Sequence, residues 1–132
     1  MEIPLIGVIG TSMKEDERRV PIHPEHLDRI PPNILQKLIF EKGYGLPFNI
    51  SDEELSQRTG GVSSRSSLLS DIGIVIILKP VVSDLKTLKK GGVLWGYTHC
   101  VQQEEMTQVA IDRKLTLIAF EDMFIWKPNG EM

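Results

Sequence analysis

Five short apolar stretches punctuate the chain, at residues 4–9, 35–40, 72–78, 93–97 and 115–120. They are rich in β-branched or aromatic residues and run on without strict polar alternation, most clearly in Ile72-Gly-Ile-Val-Ile-Ile-Leu78. Runs of this kind and length predict strands covered on both faces, the habit of a parallel sheet between helices. Polar segments with helical signals lie between them. Residues 23–30 place Pro24 at a first helical position, with Leu27 and Ile30 three apart, and Pro31-Pro32 stop the helix. Ser51-Asp-Glu-Glu54 has the form of a capping box and opens a helix to about Arg58, ended by Gly60-Gly61. Residues 64–69 and 83–88 each offer a serine cap and a short amphipathic turn. Residues 103–113 put Met106, Val109 and Ala110 on one face. Strand and helix in alternation predict an α/β fold, a mostly parallel sheet flanked by helices.

Composition narrows the class without changing it. The 132 residues, 41% hydrophobic and 25% charged, suit one globular domain able to bury a core without staples. A net charge of −3 gives no footprint for nucleic acid, and Lys86, Lys89 and Lys90 read as a solvated face. The single cysteine, Cys100, has no internal partner, so a reducing compartment is expected. No leader pattern and no membrane-length apolar run is present, and the cytoplasm is the expected location.

In an open parallel sheet, ligands bind beyond the carboxyl ends of the strands. Past the first predicted strand comes Thr11-Ser-Met-Lys-Glu-Asp-Glu-Arg-Arg-Val20; past the third, Lys79-Pro80; past the fourth, Thr98-His99. A guanidinium, an ammonium and an imidazole on one sheet edge suit a carboxylate and a proton transfer. Each also has a plainer reading: Arg19 paired in solvent with Glu15, Asp16 or Glu17, Lys79 as a solvated strand end, and His99 as a structural histidine. His23 and His26 read as surface residues at a helix start. The scattered histidines and lone cysteine show no metal-ligand spacing, and no metal is expected. Neighbours on a strand face opposite ways, which argues against a Cys100–His99 nucleophile pair.

Glu17-Arg-Arg-Val-Pro21, Leu78-Lys-Pro80 and Trp95-Gly-Tyr-Thr-His99 resemble three motifs of the N-terminal domain of the alanine dehydrogenase and pyridine nucleotide transhydrogenase family, in its order and close to its spacing. Glu41-Lys-Gly-Tyr-Gly45 and Ile118-Ala-Phe-Glu121 extend the resemblance. It implies a Rossmann-like or flavodoxin-like substrate-side domain over residues 1–132. Arg19 and Lys79 then hold pyruvate, with Lys79 also polarising it, and His99 is the acid/base. Within the family the pattern is most similar to the N5-(carboxyethyl)ornithine synthase branch, implying reductive condensation of pyruvate with an amino-acid amine by NADPH or NADH. Alanine dehydrogenase and lysine-forming saccharopine dehydrogenase are the enzymatic alternatives; a keto-acid-binding module or a transhydrogenase-like scaffold are the non-catalytic ones. No G-x-G-x-x-G or G-x-G-x-x-A follows a strand, and no acid is placed for a ribose. A dinucleotide domain is therefore expected beyond residue 132, with homo-oligomerisation implied for the full-length family.

Overall fold

A computed structural model describes residues 3–11, 19–97 and 104–119. Six parallel strands form one sheet in the order β3-β2-β1-β4-β5-β6. They are β1 (Ile6–Ile9), β2 (Leu38–Glu41), β3 (Gly61–Ser63), β4 (Ile74–Ile77), β5 (Val93–Gly96) and β6 (Thr116–Ala119). The helices are α1 (Pro32–Leu35), α2 (Asp52–Arg58), α3 (Arg65–Asp71), α4 (Val82–Thr87) and α5 (Glu104–Asp112). Two 3-10 turns, Pro24–Arg29 and Leu46–Phe48, complete the described elements.

Successive strand residues point to opposite faces, so each central strand feeds two cores. Ile9, Val75, Ile77 and Leu94 pack under α3, α4 and α5 through Leu68, Leu85 and Met106. Val8, Phe40 and Ile76 pack on the other face with Leu27 of the first 3-10 turn and Leu55 of α2. The apolar runs are continuous because β1 and β4 are covered on both faces. At the edge, β6 departs from that expectation, with Ile118 39% exposed.

Several elements differ from the sequence expectation for identifiable reasons. The segment 23–30 forms a 3-10 turn and ends at Ile30, whose extended backbone suits the proline after it. Pro32 then opens α1, which takes Leu35 out of the second strand; that strand starts at Leu38 and ends on the acid Glu41. Helix α2 ends on Thr59, whose hydroxyl donates to the Leu55 carbonyl (2.8 Å), and Gly61 begins β3. Gly60 has a separate role: a side chain there would meet the Gln36 and Leu38 carbonyl oxygens at 2.5 and 2.9 Å. Ser51 and Ser64 cap α2 and α3 as expected, accepting from the amides of Glu54 and Ser67. Ser83 is inside α4; Val81 takes the cap position, and its N–H donates to Asp84 Oδ2 (2.9 Å).

Candidate functional site

The strand order reverses direction between β1 and β4, and at such a switch point the loops after the two strands part and leave a crevice. The loop after β1 leads to Arg19, and Leu78-Lys79-Pro80 follows β4. Strand β5 lies beside β4 in register, Ile76 opposite Trp95. The Tyr97 N–H donates to the Leu78 carbonyl (2.8 Å). Three strand ends expected on one edge are thus on one edge, consecutively.

Gly96 makes that closeness possible. A side chain at this position would overlap the Ile77 carbonyl oxygen and crowd the Leu78 carbonyl at 3.4 Å. The glycine of Trp95-Gly-Tyr is therefore a packing requirement between β4 and β5.

Beyond these ends lies a groove of about 420 Å³ lined by Arg19, Val20, His23, Phe48, Leu78 and Tyr97. Arg19 is exposed and Lys79 half-buried. Arg19 lines the groove itself; Lys79 adjoins the lining residue Leu78, and Tyr97 lies two positions before His99. His99 and Cys100, and the acids Glu15, Asp16 and Glu17 considered as partners of Arg19, lie outside the described residues. Cationic, aromatic and aliphatic side chains together can hold a small anion at one end and shield its carbon skeleton.

His23 belongs to this groove, contrary to its reading as a surface residue. Its Nδ1 accepts from the Glu25 N–H (3.1 Å), capping the 3-10 turn. That bond requires Nδ1 unprotonated, so the neutral ring carries its hydrogen on Nε2. The ring meets Phe48 edge-on at 4.5 Å and lies 5.3 Å from His26. The His-Pro pair signalled a helix start; nothing local signalled that the chain folds back toward Tyr97. His26 is exposed, as are Lys86, Lys89 and Lys90.

A second polar assembly lies on the same edge; the sequence marked Glu41 and Tyr44 only as part of a family-like motif, and gave no sign of their partners. Glu41, 7% exposed, turns its Oε1 to the amides of Gly10 (3.1 Å) and Thr11 (3.0 Å). The Thr11 hydroxyl donates to the same carboxylate (2.9 Å to Oε2) and accepts from Arg65 Nε (3.2 Å). Arg65 Nη1 pairs with Asp84 Oδ1 (2.8 Å), and Asp84 is 1% exposed. Arg65 Nη2 is buried without a hydrogen-bond partner among the described residues. Alongside, the buried Tyr44 hydroxyl donates to the Ile22 carbonyl (2.6 Å) and accepts from the Ile22 N–H (3.0 Å). Burial raises the Tyr44 phenol above its usual range; the Ile22 amide bond opposes this and the Glu41 charge adds to it.

This assembly bears on nucleotide binding. In a dinucleotide-binding sheet of this strand order, amides of the turn after β1 face a pyrophosphate, and an acid after β2 takes the ribose. The sequence offered no acid placed for a ribose, yet the fold sets Glu41 at the end of β2. Its carboxylate is spent on the Gly10 and Thr11 amides, an internal anion where the phosphate would sit. The described residues therefore do not fit a dinucleotide at this turn. Among them, no cluster of three or more metal-ligating side chains occurs, and no helix is long and apolar enough to cross a membrane.

Comparison with known proteins identifies the family and the fold. Residues 8–127 match the model of the alanine dehydrogenase/PNT N-terminal domain. An alanine dehydrogenase from Methanococcus maripaludis is 31% identical over 121 residues, covering 89% of this chain and 31% of that protein. One from Staphylococcus haemolyticus is 29% identical over 114 residues, covering 86% of this chain and 30% of its own. The chain thus spans about a third of the length of these relatives. Among solved structures, an L-alanine dehydrogenase superposes with a TM-score of 0.72 at 24% identity, over 95% of this chain and 34% of that one. A transhydrogenase from Sinorhizobium meliloti gives 0.70 at 18%, over 89% and 35%. These two establish the likeness of fold. With nearly its whole length matched by the family model, the chain belongs to the alanine dehydrogenase/PNT N-terminal domain family.

Proposed function

We propose that the groove is the keto-acid site of an NAD(P)H-dependent oxidoreductase acting on CH–NH bonds, and that this chain is its substrate-side domain. The proposed reaction condenses pyruvate with an amino-acid amine and reduces the product. The observation that carries the reading is the groove itself: Arg19 shares it with Leu78 and Tyr97, the immediate surroundings of Lys79 and the approach to His99. Nucleotide binding is assigned to a domain outside these residues, because the turn after β1 is filled by Glu41. The setting is a cytoplasmic, homo-oligomeric enzyme.

Arg19 grips the pyruvate carboxylate, in two parallel N–H···O bonds where its planar fork allows. Lys79 donates to the carboxylate or keto oxygen and so stabilises charge developing there. The amine adds to the keto carbon, and His99 passes a proton from its nitrogen to the alkoxide oxygen. A second proton, taken from solvent through the same imidazole, lets that oxygen depart as water and leaves the iminium for reduction. Acid/base help of this kind is worth about 10²–10⁴-fold. Val20, Phe48, Leu78 and Tyr97 wall the groove and pack against the carbon skeleton of the keto acid.

The test is oxidation of NADPH and NADH by the longest open reading frame containing this chain, with pyruvate and ornithine, lysine or ammonia. Oxidation requiring both pyruvate and an amine is expected. Arg19→Met should raise the pyruvate KM about 10–100-fold, the weight of a charge-assisted pair. His99→Ala should lower kcat; near-normal turnover there, together with an unchanged pyruvate KM in Arg19→Met, removes the assignment. A preference for ammonia instead selects the alanine dehydrogenase reading, which the two named relatives favour.

A further inference from the structure

We propose that Arg65 is a positioning residue that ties Thr11, at the exit of β1, to the loop carrying Lys79. This rests on the keto-acid reading for its functional consequence, though not for its geometry. Arg65 opens α3 behind the Ser64 cap, on the helix that packs against β1. From there its guanidinium reaches two loops that have no covalent reason to move together. Nε donates to Thr11 Oγ1 (3.2 Å), where the chain leaves β1 toward Arg19. Nη1 holds Asp84 Oδ1 (2.8 Å), and the other oxygen of Asp84 accepts from the Val81 N–H (2.9 Å), fixing the far end of Leu78-Lys79-Pro80.

Each anchor is itself secured. Glu41 holds Thr11 by its amide (3.0 Å) and its hydroxyl (2.9 Å), so Arg65 pulls on a fixed point instead of a free loop. Asp84 is 1% exposed and sits in the first turn of α4. A buried ion pair adds little net stability over well-packed apolar side chains, whereas it fixes relative position through directional bonds. The two loops joined are those that flank the switch point. An arginine is needed because one planar group must serve two acceptors at once; a lysine ammonium is a point donor.

The test combines amide hydrogen exchange on this chain with pyruvate kinetics on the longest open reading frame containing it, for wild type, Arg65→Met and Arg65→Lys. In Arg65→Met, protection of the Thr11 and Val81 amides should fall together, by about tenfold, while Val8 and Val75 in the sheet stay protected. The pyruvate KM should rise by a similar factor with kcat little changed, and Arg65→Lys should recover only part of either effect. Unchanged protection at Thr11 and Val81 overturns the tie. Lost protection with an unchanged pyruvate KM overturns the positioning role. If wild type shows no pyruvate-dependent turnover while the two amides still respond together, the keto-acid reading fails and the tie stands. Should Arg65→Met not fold, Thr11→Val cuts the hydroxyl's bonds to both Arg65 and Glu41. The readout is then the Val81 amide, which the Glu41 bond does not touch, and its unchanged protection overturns the tie.

Discussion

At Gly96 a single hydrogen atom decides how closely two strands meet, because a methyl group there would overlap the Ile77 carbonyl oxygen. Gly96→Ala should destabilise the chain by about 1–3 kcal/mol, the usual penalty for overpacking. Gly73→Ala is the natural control: nothing lies within 4 Å of its added carbon, so urea denaturation should show little change. Tyr44 yields a pH prediction. Burial, the largest cause, raises its pKa in the folded chain above the ordinary value near 10. A neutral phenol favoured by the fold contributes stability fully present below that ordinary value and lost as pH rises above it toward the folded one. Wild type should therefore lose stability above about pH 10 more steeply than Tyr44→Phe, in denaturant titrations at pH 9, 10 and 11. Below pH 10 the variant should be weaker by about 1–2 kcal/mol, having lost the bonds to Ile22.

Among the elements, the caps separate what local sequence encodes from what packing chooses. Ser51→Ala and Ser64→Ala should each cost about 1 kcal/mol in urea denaturation, since each removes the oxygen that holds a first-turn amide. Ser83→Ala should change stability by no more than about 0.5 kcal/mol, because the cap of α4 is elsewhere. Asp84→Ala strips Arg65 of its partner and Val81 of its acceptor, and a loss of about 3–5 kcal/mol is expected. The apolar runs made β1, β4, β5 and β6 legible, with β4 shorter than its run at both ends. β3 was not legible: Gly61-Val-Ser63 is too short and too polar to register, and it exists because β2 offers an edge to pair with. α1 was hidden for the opposite reason, since Pro31-Pro32 reads as a stop while Pro32 also suits a first helical position.

For the molecule as a whole, the sheet order carries the functional geometry. Placing β1 beside β4 brings the route to Arg19 alongside Lys79, and placing β5 next brings the approach to His99. The same order sets Glu41 over the turn after β1, where it occupies the amides a phosphate would need. NADPH added to this chain should therefore leave the Gly10 and Thr11 amide resonances unmoved, whereas pyruvate should perturb the groove residues Val20 and Tyr97. Movement at Gly10 and Thr11 with NADPH counts against the internal-anion account.

By itself the sequence determined the kinds of elements, the two-sided burial of the central strands, and the candidates Arg19, Lys79 and His99. Those features are local: periodicity, turn chemistry and a motif each occupy a few consecutive residues, and a strand end announces the loop that follows. Tertiary structure alone decided which strands are neighbours, that His23 shares the groove with Arg19, and that Glu41, Thr11, Arg65 and Asp84 form one chain of contacts. The partners in that chain are separated by 19 to 54 residues. No local pattern encodes such distant pairings; they arise when burying both faces of the sheet brings the loops at its edge together, and the polar groups caught there must find one another or remain unsatisfied.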